Sequence, residues 1–171
     1  PVPVYTSASP TYFTFSPSDL NWASVPSLGN LSTWSVEAWF RTSVDLSTQD
    51  LTTIVTTVYQ DLPNEPTGAI NFCLTNFNGS TSQNGISIGF YNGDWRICAP
   101  LITTPGTWYQ VVGTYDGTTM KQYHNGGLDY QMTPGLTSVD NGGAVWIGRR
   151  WDSVVASQSL FPGDISIIRI Y

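Results

Sequence analysis

The chain predicts an all-β fold, an antiparallel β-sandwich with almost no helix. Three observations carry this. Short runs of alternating character recur between Gly, Asn and Asp turns, most densely from Thr107 to Tyr171. No stretch of ten or more residues keeps a helical period free of Gly, Pro and β-branched runs. Pro1, Pro3, Pro10, Pro17 and Pro26 crowd the first thirty residues. Proline lacks the N–H that a central ladder needs, so this region should form edge strands and turns.

Taken in order, Tyr12–Phe15 and Trp22–Val25 are the first strands. Ser35–Arg41 alternates with period two, with Val36, Ala38 and Phe40 on one side and Glu37, Trp39 and Arg41 on the other. Ile54–Tyr59 is β-branched. Gln60–Gly68 holds Pro63, Asn64, Pro66 and Gly68 and reads as a loop. Ala69–Phe77, Ile86–Tyr91 and Trp95–Ala99 follow, with Asn92-Gly93-Asp94 as a tight hairpin between the last two. Trp108–Tyr115 is the strongest strand. Asp116-Gly117 ends it, and Thr119–His124 pairs back across that turn. Asn125-Gly126 opens a second hairpin, because both residues accept positive φ. Ala144–Gly148 and Ile165–Tyr171 complete the set.

At 171 residues the chain has the length of one domain, residues 1–171, with neither repeat nor dividing linker. The opening Pro1-Val2-Pro3-Val4 and the halt within a last strand suggest a piece processed out of a longer protein. Charged residues are scarce, 11% against a usual value of about 25%. That scarcity suits an extracellular, cell-surface or virion-surface setting. The net charge of −6, with six Lys plus Arg, excludes a basic stripe for nucleic acid. No apolar run reaches the roughly 20 residues of a membrane-spanning helix, so insertion into a membrane is not expected.

Cys73 and Cys98 are expected to be free thiols. Alternation sets Cys73 opposite Ile70, Phe72 and Leu74, and Cys98 opposite Trp95, Ile97 and Ala99. With both strands flanking Ile86–Tyr91, the sulfurs should share a face two strand spacings apart. That is about 9.5 Å, beyond the roughly 7 Å Cα separation a disulfide tolerates.

The order of motifs resembles one family. Glu37-Ala38-Trp39 ends an early strand, and Trp108-Tyr109 opens a central one. Tyr115-Asp116-Gly117 is followed by Tyr123-His124-Asn125-Gly126. Ile147-Gly148, Phe161-Pro162-Gly163-Asp164-Ile165 and Arg169-Ile170-Tyr171 come last. This series, from about Trp34 to Tyr171, is similar to that of the laminin-G-like jelly rolls of the concanavalin A-like lectin/glucanase superfamily. The resemblance implies a jelly-roll sandwich of two curved sheets, six or seven strands each, with adjacent N- and C-terminal strands. It places Trp39, Trp108, Tyr115 and Phe161 at structural, core positions. It also implies a structural calcium near the terminal strands, with Asp164 as ligand beside backbone carbonyls. The acidic residue the family pattern expects two places later is Ser166. No other cofactor is required by any motif.

Catalysis has little to stand on. Glycosidases need two placed carboxylates, and the string Glu-x-Asp-x-x-Glu of the family's hydrolases is absent. Glu37 and Glu65 are the only glutamates. Glu65 lies in the proline-rich loop, and Glu37 is expected to pair with Arg169. His124, the single histidine, is expected to be exposed at a hairpin tip.

Sugar sites without catalysis use aromatic faces against pyranose rings, with Arg, amides and carboxylates for the hydroxyls. Aromatics in polar turns are the candidates: Trp95 and Arg96 in one place, Arg149, Arg150 and Trp151 in another. Trp95 and Arg96 should project to opposite faces. The expected function is a noncatalytic extracellular recognition domain for a glycan or glycoprotein. The alternative is a structural or adhesion subunit, such as a virion decoration or fibre domain or a cell-surface filament unit. Such a subunit would associate with itself through edge strands.

Overall fold

A computed structural model describes residues 4–6, 11–29, 31–46, 52–57, 69–76, 85–138, 143–150 and 160–171. No α-helix occurs among the described residues. Strands run β1 Val4–Thr6, β2 Tyr12–Phe15, β3 Ala23–Val25, β4 Trp34–Thr42, β5 Thr53–Thr57, β6 Ala69–Asn76 and β7 Ile86–Asn92. They continue as β8 Trp95–Ile97, β9 Tyr109–Tyr115, β10 Met120–His124, β11 Gly127–Met132, β12 Val145–Ile147 and β13 Gly163–Ile170. Two sheets result. One has seven strands in the order β1-β2-β13-β4-β9-β10-β11, the other six in the order β3-β12-β5-β6-β7-β8. The last strand lies between β2 and β4, which makes the terminal strands neighbours as expected. The expected loop Gln60–Gly68 lies outside the described residues.

Period-two patterning explains the core. β4 and β9 alternate buried and half-buried along their whole length. Val36, Ala38, Phe40 and Val111 face the other sheet and are fully buried. Phe40 meets Phe161 edge-on at 6.0 Å, and Tyr115 packs between Trp34 at 5.7 Å and Phe90 at 5.4 Å. The Trp34 Nε1–H donates to Ser138 Oγ at 3.2 Å, so the ring is buried without stranding its one donor. Truncating such a buried ring to alanine costs about 3–5 kcal/mol.

Two glycine-bearing sites set the geometry. Asn125 and Gly126 have φ of +47° and +84°. Both are left-handed, which matches the primed turn that a tightly twisted hairpin requires between β10 and β11. Gly113 on β9 has an ordinary φ but no room: a Cβ there would run into the Ile88 side chain on β7.

The cysteines are free and buried, as expected. Their faces differ from expectation. The rungs run Cys73 to Gly89 to Ile97, so Cys73 shares its face with Ile97 and not with Cys98. Cys98 joins the inter-sheet core, whereas Cys73 packs outside the six-stranded sheet with Ile70. Ile70 reaches that outer face because a register shift between Ile70 and Cys73 breaks the alternation. Burial pushes both thiols up, Cys98 to about 12 and Cys73 further.

A Gly113→Val chain is expected to lose about 1–3 kcal/mol in urea unfolding through overpacking. Combined with Ile88→Ala, the loss should fall short of the two single losses added together. Strict additivity would refute the contact.

Candidate functional site

In an antiparallel sheet, residues opposite one another on a rung point to the same side. Following the rungs outward from β4 defines the outer face of the seven-stranded sheet. Asp164, Arg41 and Thr14 share one rung, with Trp108, just before β9, beside Arg41. Ile167, Trp39 and Gln110 share the next. Arg169, Glu37, Val112 and Tyr123 share a third. Tyr12, Trp39, Trp108 and Tyr123 are all half-buried on this face. Trp39 and Trp108 therefore lie outside the core, contrary to the structural role that the resemblance implies. The alternation of Glu37, Trp39 and Arg41 against Val36, Ala38 and Phe40 already contained that signal.

Two linked clusters organise the face. In the first, the Asp164 carboxylate accepts from Thr14 Oγ1 at 2.7 Å and from Arg41 Nε at 2.6 Å. The Arg41 guanidinium lies 5.2 Å from the ring centroids of both Tyr12 and Trp108, which are 5.7 Å apart. Such cation–π contacts orient the rings as well as the charge. In the second, Glu37 accepts from Gln110 Nε2 at 2.8 Å, Trp39 Nε1 at 3.0 Å and Arg169 Nη1 at 2.8 Å. The expected Glu37–Arg169 pair is present. These bonds, Gln110 first and Arg169 next, hold the Glu37 carboxyl below its usual range. A general acid needs the opposite shift. His124 is not the exposed tip residue expected: its ring packs 5.5 Å from that of Tyr109, and its Nε2 is buried.

The residues singled out from sequence do not converge. Trp95 packs against Tyr91 at 5.1 Å with the rings tilted by 57°, on the outer side of the six-stranded sheet. Arg96 points the other way, opposite the buried Phe90. It donates to Pro134 O and Asp94 Oδ2, each at 2.6 Å, and to Trp95 O at 2.8 Å, clamping the hairpin to the 133–138 segment. Arg149 lies against the touching rings of Trp22 and Trp146, 4.7 and 4.2 Å from their centroids. β12 and β8 are four strand spacings apart in the six-stranded sheet, about 19 Å, so Arg149 and Trp95 cannot share one small ligand. Arg150 is half-buried at the end of β12. Trp151 lies outside the described residues.

The implied calcium does not fit the described residues. Calcium takes six to eight oxygen ligands, with carboxylates prominent among them. One oxygen of Asp164 faces a guanidinium at 2.6 Å, whose charge opposes a calcium ion at the same carboxylate. Among the described residues no three His, Cys, Asp or Glu side chains cluster around a common point. Arg41 supplies the positive charge that Asp164 needs.

Two outcomes are expected. Millimolar calcium should leave the thermal midpoint unchanged, and a calcium-dependent rise would overturn the assignment of Arg41 as the counter-charge. Glu37 has a depressed folded-state pKa, so its contribution is complete above its ordinary value of 4.5 and lost as pH falls through and below it. Melting curves from pH 6 to about pH 3 should thus fall less steeply for Glu37→Gln than for the parent.

Comparison with known proteins agrees with this architecture. Domain 4 of AbnA, a GH43 extracellular arabinanase from Geobacillus stearothermophilus, solved with arabinotriose, superposes with a TM-score of 0.71 at 16% identity, over 99% of this chain and 74% of that one. Domains LG4-5 of mouse laminin α1 give 0.70 at 15% identity, over 99% and 43%. The CBM40 of a Ruminococcus gnavus sialidase, bound to α2,3 sialyllactose, gives 0.62 at 14%, over 82% and 76%. At these identities the likeness is one of fold. No curated protein matches the chain. A family model described as the concanavalin A-like lectin/glucanases superfamily matches residues 17–171, and the chain belongs to that family.

Proposed function

We propose that the protein is a noncatalytic, extracellular carbohydrate-recognition domain that binds glycan across the outer face of its seven-stranded sheet. The observation that carries this is the continuous strip of half-exposed aromatics, Tyr12, Trp108 and Trp39, interleaved with Arg41, Asp164, Glu37, Gln110 and Arg169. Sugar rings have apolar C–H faces and equatorial hydroxyls. A strip of this kind offers ring faces for the first and planar hydrogen-bonding groups for the second. Fold alone does not assign function. The arabinotriose and sialyllactose complexes of similar folds nonetheless lend the reading support.

Two features favour binding over chemistry. Glu37 and Asp164 each face an arginine, and Glu37 is held firmly ionised. A glycosidase pair needs one carboxyl kept protonated or free to attack. An extracellular setting fits a chain with few charges, and the arabinanase of similar fold is itself extracellular.

A second reading, self-association as an assembly subunit, draws on β11. This edge strand is exposed along nearly its whole length, with Leu128 57% exposed. An unpaired edge can accept another strand.

Screening on a glycan array should give saturable binding that falls at least about tenfold in Trp39→Ala and in Trp108→Ala, as for central aromatic anchors elsewhere. Unchanged binding in both variants would remove the face from consideration. A folded parent that binds no glycan but grows in mass with concentration by light scattering would favour assembly.

A further inference from the structure

A pocket of about 430 Å³ opens at one end of the aromatic strip, lined by Thr14, Ser16, Arg41, Thr42, Ser43 and Asp164 among others. Its size is in the range of small-ligand sites. It lies where β2 and β4 end and β13 begins, and Gly106 and Pro17 bound it, so it closes the strip instead of continuing it.

Two observations bear on what it would take. Arg41 spends its Nε on Asp164 and makes a long 3.5 Å contact from Nη2 to the Tyr12 hydroxyl. A guanidinium carries five N–H donors, so Arg41 keeps donors to offer a ligand. The Asp164 oxygens each hold one hydrogen bond and, having further lone pairs, can accept another.

The charges sort the ligand classes. Arg41 is neutralised by Asp164 at 2.6 Å, so no unbalanced cation awaits a carboxylate or phosphate. A net charge of −6 repels anionic glycans at longer range. A neighbouring donor and acceptor locked side by side instead match adjacent hydroxyls of a neutral sugar, one accepting from Arg41 and the other donating to Asp164. Trp39 is two residues from Arg41 along β4, about 7 Å, close to where the next sugar would lie.

We infer that this pocket binds the terminal residue of an uncharged glycan by its adjacent hydroxyls, between Arg41 and Asp164. This deepens the carbohydrate reading and rests on it. Orientation in the strip follows: the chain end sits in the pocket and the remaining sugars cross Trp39.

The test uses the whole domain on an array of neutral and sialylated glycans, with arabinotriose and α2,3-sialyllactose as soluble competitors. Neutral glycans are expected to bind and sialyllactose not to compete. Competition should scale with the number of chain ends, not with total sugar. Preference for sialylated glycans overturns the inference. So does competition that scales with total sugar; if Trp39→Ala loses binding there, the sheet-face reading stands and only the pocket fails. No binding to any glycan by the folded parent sinks both.

Discussion

The Asp164 carboxylate is the point on which the outer face of the seven-stranded sheet depends. The ladder leaves it no choice of neighbours: β13 returns between β2 and β4, which sets Asp164 opposite Thr14 on one side and Arg41 on the other. A carboxylate only 9% exposed must be matched by donors. The Thr14 hydroxyl and the Arg41 Nε–H supply them. Once bonded, Arg41 is no longer a freely rotating surface cation. Its position beside Tyr12 and Trp108 is set by the sheet, and those rings are ordered by it in turn. The strand-to-strand tie at the chain's end thus also builds the surface on which recognition is proposed.

Most strands and hairpins were legible because their signals are local. Period two in β4 and β9, and the Asn125-Gly126 turn, need only neighbours in sequence to be read. The Glu37–Arg169 pair was legible too, as two complementary charges on strands that the family pattern sets together. What failed was long-range register. Whether Cys73 and Cys98 share a face depends on how β6 meets β7 and β8. Cys73 and Ile97 both pair with Gly89, which leaves Cys98 one residue beyond that rung and on the other face. The site was missed for another reason. Trp39 was read on the same side as Glu37 and Arg41, and a core role was then assigned to it by resemblance. The alternation was the better guide, since a residue beside two charged neighbours on a strand cannot face the core with its opposite-side neighbours already there.

Among the described residues an arginine lies against a pair of touching aromatic rings in two places, and only one of the two suits recognition. Arg149 against Trp22 and Trp146 repeats the chemistry of Arg41 against Tyr12 and Trp108. The surroundings differ. Along the rung from Trp146, the next side chains are Thr56 and Cys73, both fully buried on the outer side of the six-stranded sheet. The open aromatic surface stops after one step, and the cluster serves as packing at the β3 edge. From Arg41 the open surface continues to Trp39, Gln110 and Glu37, each held by a named bond. Side chains already locked in place lose little freedom when a ligand arrives, so modest contacts can add up to useful affinity. Continuity of the open face and its prior ordering, more than the presence of aromatic and arginine residues, separate a recognition surface from a well-packed one.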